Sequence, residues 1–418
     1  MGVEMGRYVR VNVHQVCLFL ATFVILTTLI CMDKLKKNDD KIIAFRAVEP
    51  RRSLLEDVIP WDQHLTPEDV GYVFTDPMTY EGPILKAWPP SQSRDVSRII
   101  KPGQNTTLSD MTCFDWSQVK ILIVVQTAPE FWKRRQGIRQ TWMKSKYPGI
   151  KVVFLFGKSQ TNEKQPLSLE LEQEVHCDMI QMDFVDDYYN CTLDSIFAMK
   201  VAMENRQIDP DFLIISDDDT YIHLPHIWNL LYNQRALEKT SEALWGYTIA
   251  KAKIPRAPQD QKYVAKWDIP TYLLDGTHYP DYLSGSAYII PQRSLSCLYE
   301  SALTTPFFPI NDVLITGYLA KMCRLSLISS KNFQPFEDSS LGKLRPNQAV
   351  IHYVNPRAML VIDHVFRFQN GQVDKDCSTP NSFCSKNKKL HFCDYFECRP
   401  FLPIDKGLGG SSRLEAKV

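Results

Sequence analysis

"VKILIVVQTAP", Val119–Pro129, decides how the rest of the chain is read. An unbroken aliphatic run from Ile121 to Val125, ended by turn residues, has the form of a strand covered on both faces. A half-wet strand would alternate apolar with polar side chains instead. Outward from it, "EFWKRRQGIRQTWMKS" reads as a helix and "IKVVFLFGKS" as a second buried strand. "PLSLELEQEVHC" is again helical, "DMIQMDF" a third strand, "LDSIFAMKVAMENR" an amphipathic helix and "DFLIIS" a fourth strand. Strands alternating with helices predict an α/β domain with a mainly parallel central sheet. Ligands of such sheets bind beyond the carboxyl ends of the strands.

One of those ends carries three consecutive acids, in "DPDFLIISDDDTYIHL", Asp209–Leu224. Like charges ~6 Å apart at an effective dielectric near ~20 repel by roughly 3 kcal/mol. Either water solvates Asp217, Asp218 and Asp219 or a cation offsets them. Carboxylates without thiolates suit a hard divalent cation such as Mn²⁺ or Mg²⁺. The bland alternative is a cap for the helix read in "LPHIWNLLYNQRAL". An EF-hand is excluded, since the glycine and glutamate of that loop are missing. No G-x-G-x-x-G or P-loop follows any strand, so a phosphate here would need a metal and side-chain cations.

The bulk composition agrees with a globular protein. The chain has 418 residues, 44% hydrophobic and 23% charged, with 48 basic and 48 acidic side chains. Zero net charge gives no broad basic surface, so nucleic acid is not an expected partner. "VCLFLATFVILTTLICM", Val16–Met32, is uncharged and reads as an uncleaved transmembrane signal-anchor, over a signal peptide or a core helix. Lys34, Lys36, Lys37 and Lys41 outnumber Arg7 and Arg10, which leans against a cytoplasmic N-terminus. Cysteines and sequons argue the reverse. Asn105-Thr-Thr and Asn190-Cys-Thr are glycosylation acceptors, and Cys377, Cys384, Cys393 and Cys398 read as disulfides ahead of zinc ligands. The expected organisation is residues 1–15 as cytoplasmic tail, 16–32 as anchor, 33–112 as stem, 113–400 as the main lumenal domain with a cysteine-rich end at 377–398, and 401–418 as tail.

Six segments in order, "RRQGIRQTW", "VVFLFG", "MDFVDDYYNCTL", "ISDDDTYI", "YPDYLSGSAYII" and "NDVLITGYLA", resemble the β-1,3-glycosyltransferase family of galactosyl- and N-acetylglucosaminyltransferases. The resemblance runs from about Val119 to Pro356. It implies a single GT-A (Rossmann-like) catalytic domain on a single-pass type II Golgi membrane protein, with a D-x-D metal motif and inversion at the sugar carbon. The implied donor is UDP-galactose and the acceptor a glycan on glycoprotein or glycolipid; the alternatives are UDP-N-acetylglucosamine as donor, or a catalytically silent sugar-binding protein. Oligomeric state is left open.

Residue by residue, the resemblance implies that Asp217 and Asp219 bind Mn²⁺, with His352 in "AVIHYVN" as a third ligand. Arg135 and Arg139, four apart on one helix face, would contact the donor together with Lys200, Asp217 and Asp218. Gly285 would allow close approach of the transferred sugar. Asp312 would be the catalytic base, although alone it reads as a helix N-cap before "VLITGYLAKMC". Asn311 stands where the family usually has an acid, and Asp194 and Ile215 where it often has lysine. Asp183, Asp186, Tyr282, Ser284 and Trp142 match family positions as packing or as donor surroundings.

Overall fold

The computed structural model describes residues 65–100, 116, 118–144, 147–159, 169–204, 209–233, 242–260, 265–335 and 347–369. The chain divides into two units, Met1–Glu56 and Asp57–Val418, and every described residue belongs to the second.

The aliphatic run forms β1 (Ile121–Gln126), buried at every position. It pairs in parallel with β2 (Ile150–Lys158), which pairs in parallel with β3 (Met179–Val185). On its other side β1 pairs in parallel with β4 (Phe212–Asp217). Parallel neighbours need crossovers, supplied by α1 (Trp132–Gln140), α2 (Leu169–His176) and α3 (Cys191–Glu204). Both faces of β1 are covered, as its sequence requires. Leu122 and Val124 join a core with Ile196 and Phe197 of α3. Ile121, Ile123 and Val125 join a second core with Ile138 of α1 and with Met359 and Ile362 of α6 (Pro356–Gln369).

Beyond β4 the sheet departs from expectation. β5 (Ala243–Gly246), β6 (Ala287–Pro291) and β7 (Ser326–Ser329) complete the order β7-β5-β6-β4-β1-β2-β3. β6 runs antiparallel to both β4 and β5, while β7 is parallel to β5. The sheet is therefore mixed, which corrects the mainly parallel reading. A strand buried on both faces, such as "AYIIP", has the same apolar signature in either direction, so its sequence could not report its polarity.

The helix read in "VLITGYLAKMC" is real but irregular, with a π-helical segment Val313–Leu319 running into Ala320–Met322. Residues 65–100, read as stem, are packed into the first core: Tyr72, Leu85, Trp88, Val96 and Ile100 are all buried there. Arg94 stitches this segment down, donating to the carbonyls of Phe307, Tyr272 and Leu273 and to the Tyr72 hydroxyl. α5 (Gln292–Thr304) is tied by the Cys297–Cys323 disulfide to the residue that follows Met322, and Cys177 is also disulfide-bonded.

Two expectations about the environment of the chain change. Among the described residues no helix is long and apolar enough to cross a membrane. The single-pass type II Golgi topology and the membrane partner therefore gain no support from the described residues and are not carried further; the segment 16–32 itself lies outside them. So do Asn105 and the cysteines at 377–398. Asn190 is described, and its amide is engaged both ways, donating to the Val185 carbonyl at 2.8 Å and accepting from the Trp88 indole at 3.2 Å. Thr192 of the same sequon is buried with its hydroxyl on the Phe308 carbonyl. That sequon is used for packing.

Candidate active site

The chain brings the acidic triplet to a histidine more than a hundred residues away through a small strand pairing. Immediately after the triplet, Tyr221 and Ile222 pair antiparallel with Ile351 and Val350, and His352 is the next residue. The Val354 N–H then donates to the Asp219 carbonyl at 2.8 Å, closing the loop onto the triplet. His352 Nε2 lies 3.0 Å from Asp219 Oδ1 and 3.4 Å from Asp217 Oδ2. Its Nδ1 is 2.9 Å from the Pro335 carbonyl, which accepts only from an N–H. That bond fixes the tautomer and leaves the Nε2 lone pair for a ligand, the arrangement typical of metal-binding histidines. One donor atom from each of Asp217, Asp219 and His352 falls within 4.8 Å of the others. Two carboxylates and an imidazole fit a divalent cation of the Mn²⁺ or Mg²⁺ kind.

The three side chains shift one another's protonation strongly. Burial pulls the His352 imidazole down, but the hydrogen bonds it donates to Asp217 and Asp219, and their charges, outweigh it and push it up to about 10. Burial raises Asp217 against the pull of His352, while at Asp219 the histidine wins and the carboxyl is lowered. Tyr353, next along, holds a left-handed φ of 58° and stacks its ring 3.9 Å from the His352 ring. Such strain in a non-glycine residue gathers at functional sites.

Asp218, expected among the donor contacts, turns inward. One oxygen accepts from Thr127 at 2.6 Å, and the other from Arg134 at 2.6 Å. Burial pushes its carboxyl up to about 6 even against the Arg134 charge. Its work is to anchor the turn to β1 and α1. Arg134 reaches Asp219 as well, at 3.7 Å, and its side chain is 38% exposed beside the triad. Arg135 and Arg139, expected at the donor, have their guanidinium groups turned to other partners. Arg135 is fully buried, with its guanidinium spent on Glu172 and on the carbonyls of Ala128 and Pro129. Arg139 is spent on Glu172 and Asp178. Lys200 is buried on α3 with its ammonium 5.5 Å from the Phe197 ring centroid.

Asp312 caps its helix, as the bland reading required, accepting from the Val313 N–H at 2.8 Å through Oδ1. Its Oδ2 accepts from the Gly285 N–H at 2.9 Å. The Gly285 N–H thus holds the Asp312 carboxylate in place. A Cβ there would lie 3.3 Å from Asp312 Oδ2, so even alanine would crowd the carboxylate. Each carboxylate oxygen keeps a further lone pair. Burial pushes Asp312 up to about 7, against the Gly285 and Val313 hydrogen bonds and with help from the Asp217 charge. The next residue, Ser286, accepts from the Asp217 N–H at 3.3 Å through its carbonyl. Two adjacent residues thus hold the metal-side acid and the capping acid.

The departures from the resemblance lie outside the triad. Asn311 donates to Gln126 at 3.0 Å and to Ser195 at 3.2 Å, and Gln126 donates on to Ser195 and the Cys191 carbonyl. Asp194 is buried with no partner for Oδ1 among the described residues, and burial raises its carboxyl well above the usual range. Ile215 is core, as is Trp142. Asp186 accepts from the Gly157 N–H at 2.9 Å, and burial pushes it up to about 7. Asp183 forms an exposed pair with Lys158.

Residues 133–331 match the family described as Galactosyltransferase. The family match is to the GT-A β-1,3-glycosyltransferases. The chain is 30% identical to a lactosylceramide 1,3-N-acetyl-beta-D-glucosaminyltransferase B of Danio rerio, over 54% of this chain and 60% of that one. It is 32% identical to the lactosylceramide 1,3-N-acetyl-beta-D-glucosaminyltransferase of Homo sapiens, over 44% and 50%. With an acetylgalactosaminyl-O-glycosyl-glycoprotein beta-1,3-N-acetylglucosaminyltransferase of Mus musculus it shares 27% over 52% and 55%. The chain thus spans only 50% to 60% of the length of these relatives. Their names correct the expectation of UDP-galactose: each specifies N-acetylglucosamine as the sugar moved.

Proposed function

We propose that this chain is an inverting, metal-dependent glycosyltransferase that moves N-acetylglucosamine from UDP-N-acetylglucosamine to a glycan hydroxyl through a β-1,3 bond. The observation that carries the reading is the Gly285–Ser286 pair, which couples Asp312 on one side to Asp217 of the metal triad on the other. A base and a cation site so linked can act on the two ends of one displacement. The donor sugar is taken from the relatives' names, and the linkage from the family match.

Asp217, Asp219 and His352 would hold the cation, which when bound supplies positive charge to the departing diphosphate. Arg134 adds a second cation beside the same acids. Asp312 takes the proton of the acceptor hydroxyl as that oxygen bonds to C1 of the sugar. The bond from C1 to the phosphate oxygen breaks on the opposite face, which gives inversion. A carboxyl pushed up to about 7 is a far stronger base than an ordinary aspartate and is still substantially ionised at neutral pH. The Gly285 N–H keeps it aimed.

The test is to incubate the purified full chain with Mn²⁺, UDP-N-acetylglucosamine and a panel of galactose-terminated and N-acetylgalactosamine-terminated acceptors, reading product linkage by NMR. The expected product carries a β-1,3-linked N-acetylglucosamine. Neither transfer nor donor hydrolysis with any UDP-sugar would overturn the reading.

A further inference from the structure

An aromatic pair outside the machinery described so far faces solvent. Trp267 is 54% exposed and Tyr188 38%, with ring centroids 5.5 Å apart, edge to face. The Lys266 ammonium sits 4.0 Å from the Tyr188 ring centroid and 4.9 Å from that of Trp267. One exposed aromatic residue is ordinary, but two in contact under a shared cation form a patch that water solvates poorly.

The pair is assembled from distant segments and held in place. Tyr188 opens a short turn directly beyond the carboxyl end of β3, capped by Asp187 accepting from the Tyr189 N–H at 2.8 Å. Trp267 lies in a turn closed by the Asp268 N–H on the Ala265 carbonyl at 3.1 Å, and the Asp268 carboxylate accepts from the Ala265 N–H at 3.1 Å. Ile269, next along, is buried and bonded to the Pro255 carbonyl. The Tyr189 hydroxyl donates to the Lys266 carbonyl at 3.3 Å, joining the two segments. Rings fixed this way lose little freedom when a ligand lands on them. The turn also leads toward the cleft: the Cys191 carbonyl, three residues after Tyr188, accepts from Gln126, whose side-chain oxygen accepts from Asn311, the neighbour of Asp312.

We propose that Tyr188 and Trp267 are the platform on which the acceptor's terminal pyranose lays its C–H face, with Lys266 donating to the sugar's hydroxyls and the attacking oxygen turned toward Asp312. The inference rests on the transferase reading above and adds where the acceptor sits. A pyranose is amphipathic, with C–H bonds on its faces and hydroxyls at its rim, which matches an exposed ring beside a cation. A galactose-configured ring gathers more of its C–H bonds on one face than a glucose-configured ring. The platform therefore favours galactose-terminated acceptors.

Kinetics of the full chain with Trp267→Ala, Tyr188→Ala and Trp267→Phe test this, with lactose and its glucose-terminated analogue cellobiose as acceptors. The two alanine variants should raise the acceptor KM on the order of tenfold. Donor KM, and donor hydrolysis without acceptor, should stay within about twofold, and the phenylalanine variant should keep most of the affinity. Saturation-transfer NMR with lactose reads the same contact without turnover: Trp267→Ala should lose the signal from the galactose C–H protons. An unchanged acceptor KM and an unchanged NMR signal would overturn the platform, as would a rise in donor KM alone, which would assign the rings to the nucleotide. Absence of any turnover by the unaltered protein would instead count against the transferase reading, and the NMR result would still decide the platform.

Discussion

Arg134 and Arg135 are neighbours on α1, yet one faces the cleft and the other the interior. On the interior side Arg135 and Arg139 meet Glu172 and Asp178, charges balance, and every carboxylate oxygen has a guanidinium partner. On the cleft side Asp218 and Asp219 meet Arg134, and Asp217 and Asp219 meet His352, which is charged only by virtue of those two acids. A balanced, fully bonded cluster is self-sufficient and structural. One short of positive charge and partly open to solvent is built for something that brings charge with it. The same residue types on the same helix do different jobs because their partners differ.

The most severe way to break this comparison is Asp312→Asn. It should cut sugar transfer by about 100- to 10,000-fold, while Mn²⁺ still raises the melting temperature by its usual amount. If transfer survives, the cleft acids are not the machinery. Next, Arg135→Ala should destabilise the fold by about 3–5 kcal/mol, since it leaves Glu172 buried and partly unpaired. Arg134→Ala should cost less, about 1–3 kcal/mol, since the buried Asp218 keeps its Thr127 bond and can take up a proton. Urea titrations of the two variants give both numbers, and equal losses would erase the contrast.

The cation site offers a third probe. Mn²⁺ at a hundredfold excess over its Kd should stabilise the protein by about 2.7 kcal/mol, read as a rise in Tm, and His352→Ala should remove most of that rise. A full shift in the variant would separate His352 from the metal. The smallest effect sharpens the electrostatics. Asp186 is held near 7 in the fold and near 3.8 unfolded, so between these values the folded state binds more protons and stability falls as pH rises. In the metal-free protein Asp186→Asn should flatten that fall from about pH 4 to pH 7. An unchanged slope would mean that Asp186 does not carry it.

Much of this was legible in the sequence, and the failures have identifiable causes. The four parallel strands and three crossover helices follow from apolar runs and their spacing, which are local properties. The metal acids were legible because three adjacent carboxylates at a strand end are conspicuous. His352 and Asp312 could be nominated only through resemblance, since a lone histidine and a lone capping aspartate have no local signature. Arg134 was missed because all three arginines of "RRQGIRQTW" have the same chemistry on paper. The polarity of β6 was missed because full burial erases the alternation that would reveal a wet face. Contact of "YVFTDPMTYEGPI" with the main body was legible from its apolar content, but the packing reaches on to Ile100, because a proline-rich segment reads as loop whether or not its aromatic residues find a core.

By itself the sequence determined the alternating α/β plan and the acid triplet at the mouth of β4, since both depend on neighbours along the chain. Only the tertiary structure decided which arginine meets the triplet, that His352 offers its Nε2 there, and that Gly285 and Ser286 link Asp312 to Asp217. These are contacts between residues far apart in the chain, and only the packing of the folded backbone fixes which of many chemically equivalent partners lie within hydrogen-bonding distance.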